Sequence, residues 1–174
     1  MLFYALNTMK TLTKFIAVCA VLTGANAVLA HTTESHASTD HSMHSAAPAQ
    51  KDWGIAGNAQ AVTRTIDLRM TDDMRFAPNR FTVKLGETVR IRVVNAGQIM
   101  HEIVLGTANT LDAHASAMLQ QPGMAHSEAF MAHVPPQQNG ELIWTFNRPG
   151  TFDFACLIAG HYQAGMRGTF TVTP

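Results

Sequence analysis

From about residue 61 to its C-terminus the chain is built from short runs of alternating apolar and polar residues, each closed by a turn signal. A period of two cannot gather its apolar residues on one side of a helix, so this region must fold as strands. "AVTRTIDLRM" alternates Val62, Arg64, Ile66 and Leu68 against their neighbours. "RFTVKLGETVRIRVVNAG" gives two strands, Phe81 to Leu85 and Val89 to Val94, around a Gly-Glu turn. "HEIVLG" is another, "ELIWTFNRPGTFDFACL" supplies two around Arg148-Pro149-Gly150, and "GTFTVTP" is the last. One segment breaks the pattern. In "NTLDAHASAMLQQPG", Leu111, Ala115, Met118 and Leu119 recur at helical spacing, Met118 reads as core, and Pro122-Gly123 ends the run. The expectation is an all-β, Greek-key β-sandwich over residues 61–174, with one short helix inserted between strands.

The first thirty residues read as a signal peptide. A basic stretch with Lys10 and Lys14 precedes the apolar run Phe15 to Leu22, and Val28-Leu29-Ala30 fits a small-x-small cleavage pattern. Cleavage after Ala30 would leave a chain beginning at His31, although "MKTLTKFIAVCAVLTG", from Met9, is also a complete leader. The apolar run is too short to span a bilayer comfortably, and Cys19, after Val18, is poorly placed for lipid attachment. Export to the periplasm without stable membrane insertion follows. Residues 31–60 read as a disordered, flexible tail, because a stretch of Ser, Thr, Ala and His cannot bury enough to fold alone. His31, His36, His41, Met43 and His44 make it a candidate for auxiliary metal capture, against the plainer reading of a solvated linker. Trp53 marks a junction before the strands.

The full chain balances 12 basic against 12 acidic residues. Loss of Lys10 and Lys14 with the leader leaves a net charge of about −2, which favours neither nucleic acid nor an anionic membrane as partner. Outside the leader there is one cysteine, Cys156. An unpaired thiol in an oxidising compartment is a liability unless buried or bonded, and a metal would protect it.

Cys156 ends one strand, Gly168 begins the next, and the loop between them carries His161 and Met166. That loop is longer than a hairpin needs, and Gly160 and Gly165 allow sharp bends beside the two later residues. A thiolate, an imidazole and a thioether from one loop suit copper. Two imidazoles and a thiolate with a weak axial thioether form an electron-transfer copper site. Methionine is a poor zinc ligand, and iron–sulfur clusters need more cysteines. The missing imidazole is best supplied by His101, at the start of "HEIVLG". Taken alone, His101 would more often be a structural histidine.

The spacing Cys156-x4-His161-x4-Met166 in the last hairpin, with His101 after "NAG", resembles the cupredoxins, the type 1 copper proteins. "HEIVLGT", "PGMAH", "GELIWTF" and "PGTFDFACLIAGHYQAGM" look like the periplasmic copper-tolerance, CopI-like cupredoxins of proteobacteria. The resemblance covers roughly residues 61–174. It implies one type 1 copper on His101, Cys156, His161 and Met166 and single-electron transfer in copper tolerance. It also implies an unidentified periplasmic redox partner, such as a copper-exporting or copper-oxidising system. A redox enzyme would need further copper sites with His-x-His pairs or a second domain, and the sequence has no His-x-His, so no enzymatic activity is expected. In plastocyanin- and azurin-like members an asparagine after the first histidine pairs with a serine or threonine after the cysteine. Glu102 and Leu157 stand there instead, so that side-chain bond cannot form, and the colour and rigidity of the site are left open between a blue centre and a looser or more tetragonal, green one.

Two further features bear on function. Ile158, Ala159, Tyr162 and Ala164 could form a small apolar contact face around His161, or simply fill the loop. Met124, His126, Met131 and His133, in "PGMAHSEAFMAHV", could hold additional, weakly bound copper, or could be capping methionines and solvated histidines. His114, on the helix, reads as a surface residue. These segments sustain a second reading, a copper-sequestering buffer or chaperone without a redox partner.

Overall fold

A computed structural model of the protein describes residues 48–124 and 126–174. The leader and His31, His36, His41, Met43 and His44 lie outside them. The described fold has ten strands, one α-helix and a single 3-10 turn at Ala59–Ala61: β1 (Ile55–Ala56), β2 (Arg64–Thr71), β3 (Arg75–Ala77), β4 (Arg80–Lys84), β5 (Thr88–Asn95), β6 (His101–Gly106), α1 (Ala108–Gln120), β7 (Met131–Val134), β8 (Asn139–Thr145), β9 (Gly150–Ala155) and β10 (Arg167–Thr173). They form two five-stranded sheets, ordered β1-β8-β5-β2-β3 and β4-β10-β9-β6-β7. This is the expected sandwich, with the expected helix between β6 and β7.

The apparent hairpins are mostly crossings between sheets. β4 and β5 flank the Gly86-Glu87 turn, yet β4 runs parallel to β10 while β5 pairs with β2 and β8. β8 and β9 flank Arg148-Pro149-Gly150 and likewise lie in different sheets. The one predicted turn that closes a true hairpin is the long one, β9–β10, where Ala155 faces Arg167. A core of aromatic and aliphatic side chains fills the space between the sheets, with Phe81 stacked on Phe170 at 5.4 Å and Phe76 set edge-on to Phe154 at 5.0 Å.

The helix starts at a reciprocal cap. The Thr107 hydroxyl accepts from the Thr110 N–H, and the Thr110 hydroxyl accepts from the Thr107 N–H. Leu111, Ala115 and Met118 are buried in a second core on the outer face of β6 and β9, together with Val104, Ala155 and Leu157. Leu119, expected on the same apolar face, is 49% exposed, because it lies off the stripe set by the other three.

The ordered sheet begins earlier than residue 61. β1 pairs with β8, Trp53 is 6% exposed, and the Trp144 indole N–H donates to the Trp53 carbonyl at 2.9 Å. An isolated aromatic among polar residues gives no periodic signal, so a sequence reading assigns it to the tail. Trp53→Ala should cost about 3–5 kcal/mol of unfolding free energy by denaturant titration. A loss under about 0.5 kcal/mol would make this segment peripheral to the fold.

Candidate metal centre

β6 is covered on both faces, with all six residues buried. Alternation along the strand sends its residues to opposite sides. Ile103 and Leu105 enter the core between the sheets, whereas Val104 joins the core beneath α1. His101 shares the register of Ile103, and Glu102 that of Val104. The same division holds after β9, where Cys156 belongs to the inner core and Leu157 to the outer.

His101, Cys156 and His161 each bring a ligand atom within 4.8 Å of the others'. Cys156 Sγ is 3.3 Å from His161 Nδ1, and the two imidazoles are 5.0 Å apart between centroids. The loop holds its donors by crossed backbone bonds: the Cys156 N–H donates to the Met166 carbonyl at 3.0 Å, and the Met166 N–H to the His161 carbonyl at 3.1 Å. Gly160 and Gly165, at φ of 91° and 95°, supply the left-handed turns that bring the chain back on itself. Met166 is buried with Cys156 in the inner core, and the Arg75 guanidinium braces the loop by donating to the Ala164 carbonyl at 3.0 Å.

Asp72 fixes the tautomer of His101. A carboxylate can only accept here, so its Oδ1, 3.0 Å from His101 Nε2, places the ring proton on Nε2. Nδ1 is left as a lone pair, fully buried and without a partner. An unpartnered buried nitrogen costs free energy unless something binds it, and here it belongs to the cluster with the thiol and His161. Asp72 is held in turn by the Gln98 N–H at 2.7 Å, which pulls its carboxyl below the usual range, with the His101 bond adding to the effect. Gly97 permits this approach, since a Cβ there would lie 1.8 Å from Asp72 Oδ1.

Burial pushes the Cys156 thiol up to about 12 against the opposing N–H groups of Glu102 and Ile158, so the metal-free side chain is a neutral thiol. Burial, then the neighbouring His101, lowers the His161 pKa, keeping that ring neutral and able to donate a lone pair. Two imidazoles and one thiol converge, with the Met166 thioether in the same core, and this donor set fits copper.

The expected missing tie is replaced rather than lost. The Leu157 N–H donates to Glu102 Oε1 at 2.8 Å, and the Glu102 N–H donates to Cys156 Sγ at 3.4 Å. A backbone donor needs no particular side chain at position 157, so side-chain identity alone could not reveal this bond. The loop is held by these two bonds. The apolar contact face also changes. Tyr162 is buried in the outer core with its hydroxyl on Asp112, while Ile99 and Met100, just before His101, are each 41% exposed.

Of the second group, His126 and His133 gather around Glu102, and His114 joins them through His126, at 4.7 Å between centroids. Met124 lines the same cleft, whereas Met131 is buried in the outer core and takes no part. Burial is the main cause lowering the His114 pKa, which fits a half-covered ring rather than a surface one.

A family described as copper binding proteins, plastocyanin/azurin family, matches residues 62–173. The chain belongs to that family. Copper is accordingly the cofactor of this cupredoxin. It is 43% identical over 150 residues to the copper-resistant cuproprotein CopI of Rubrivivax gelatinosus, covering 84% of this chain and 91% of that one. It is 36% identical over 151 residues to the protein of the same name from Pseudomonas aeruginosa, covering 70% and 83%. Auracyanin B has the same fold, with a TM-score of 0.58 at 24% identity over 74% of this cupredoxin and 99% of that chain.

Asp72→Ala frees the His101 ring and should weaken copper binding about 10–100-fold in a chelator competition, with the fold intact by circular dichroism. An unchanged affinity would mean Asp72 does not orient the ring. Because the thiol must lose its proton to bind copper, apparent affinity should rise with pH between about 7 and 9, by about tenfold per unit. A flat profile would exclude the thiol as a ligand.

Proposed function

We propose that this cupredoxin is exported to the periplasm, binds one type 1 copper through His101, Cys156, His161 and Met166, and passes single electrons in the service of copper tolerance. The observation that carries the ligand assignment is the buried, unpartnered Nδ1 of His101 in the cluster with Cys156 Sγ and His161 Nδ1. The names of the relatives, copper-resistant cuproproteins, support the physiological part. Copper supplies the one-electron couple. The protein holds the donors in a preset arrangement through Asp72, Glu102 and the crossed loop bonds, so that little need move when the charge changes.

His161 is the one cysteine-loop histidine, and it is half-exposed while His101 is fully buried. Its ring edge is the proposed port for the electron. Exposed Ile99 and Met100 and half-buried Ile158 and Ala159 offer a small apolar rim suited to brief encounters with a periplasmic redox partner protein, such as part of a copper-exporting or copper-oxidising system. We read the protein as a carrier rather than an enzyme, because catalytic copper clusters draw on His-x-His pairs and the sequence has none.

The competing reading, a buffer or chaperone acting through its His- and Met-rich segments, is favoured by the gathering of His126 and His133 around Glu102. Cys156→Ala separates the two. It should abolish the strong visible absorption of the Cu(II) form and, in cells, copper tolerance. Tolerance that survives Cys156→Ala but is lost on deleting residues 31–47 would establish sequestration instead.

A further inference from the structure

The outer face of β6 holds a second set of donors, some residues of which the metal centre leaves unused. Glu102 is fully buried, and its Oε1 is committed to the Leu157 N–H. Its Oε2 is 2.8 Å from His133 Nε2, directly across the β6–β7 ladder, yet it receives no aligned hydrogen bond. A buried carboxylate oxygen without a proper donor is costly, and a bound cation is one of the few ways to satisfy it.

His126 points the same way. Its Nδ1 lies 2.8 Å from the Met124 carbonyl, which can only accept, so the ring proton is on Nδ1. Nε2 is then a lone pair, buried and unpartnered. Glu102, His126 and His133 bring ligand atoms within 4.8 Å of one another. His114, from α1, sets a third imidazole edge-on to His126, and His126 is in turn 5.1 Å from His133 between centroids. Glu102, His126 and His133 line a cleft of about 500 Å³ together with Met118 and Met124, so an ion has both access and room.

We propose that Glu102, His126 and His133, with His114 alongside, form a second copper site on the opposite side of β6 from the cysteine centre. Imidazole and carboxylate donors bind divalent first-row ions, and among these the intrinsic order of affinities places Cu(II) highest. The thioethers of Met118 and Met124 suit the same ion as Cu(I). The two sites would share Glu102, one oxygen holding the cysteine loop and the other facing the second ion.

The test is Cu(II) titration of the full chain, with bound copper counted after dialysis and examined by EPR, for the parent and for His126→Ala/His133→Ala. The double variant should bind one fewer Cu(II) per chain and lose one EPR signal with imidazole splitting. Its thiolate absorption should be unchanged, which also reports a folded protein and an intact first site. Equal stoichiometry with superimposable EPR spectra would overturn the proposal and assign any extra copper elsewhere, the His-rich residues 31–44 included. Should the double variant fail to fold, His126→Ala alone, altered in a loop, is held to the same two outcomes. The first site's copper is counted separately by its colour, so a failure of the cysteine centre cannot be mistaken for a failure of this one.

Discussion

The hydrogen bond from the Leu157 N–H to Glu102 Oε1, 2.8 Å long and buried, joins the strand that carries the first histidine to the loop that carries the other three donors. Both ends lie on the outer side of the sheet, while His101 and Cys156 face inward, so the bond fastens the centre from behind. A buried carboxylate would be a poor choice for a purely structural tie, because its charge must be offset. Its second oxygen meets His133 across the ladder, where the proposed second ion would offset that charge.

The alternation along β6 and after β9 gives this cupredoxin two chemically distinct sides. The inner side is dry and aromatic, which raises the thiol pKa and makes deprotonation depend on metal. The outer side is closed by α1 and the segment before β7, where methionines and histidines replace some of the packing. Asp72 plays for the first histidine the part that Glu102 plays for the loop. Each is an acid that accepts from a backbone N–H and steadies a neighbouring part of the candidate centre.

Much of this was legible in the sequence. The strands announced themselves by alternation, and Cys156, His161 and Met166 share one loop whose glycines fix their approach. The pairing of strands was not legible. Gly86-Glu87 and Arg148-Pro149-Gly150 have the chemistry of tight turns, but whether a turn folds a strand back or sends it to the other sheet depends on tertiary packing. Short strands such as β1, β3 and β7 offer too few residues for a period to show. Asp72 lies 29 residues from His101, and nothing in "MTDDMR" distinguishes it from its neighbour Asp73. Glu102 registered as a departure from a family pattern, when its backbone partner made it a substitute. His114 read as a solvated helix residue because its neighbours, His126 and His133, come from segments beyond the helix.

The tautomer that Asp72 fixes on His101, together with the fold of the cysteine loop, directs both Nδ1 atoms and the Cys156 sulfur at one point. A crystal structure of the copper-loaded protein tests it most directly. The copper should be held by Nδ1 of His101, Nδ1 of His161 and Sγ of Cys156, with the Met166 sulfur as a fourth, weaker donor and Asp72 still on His101 Nε2. Copper bound through His101 Nε2, or bound without the Cys156 sulfur, would contradict it.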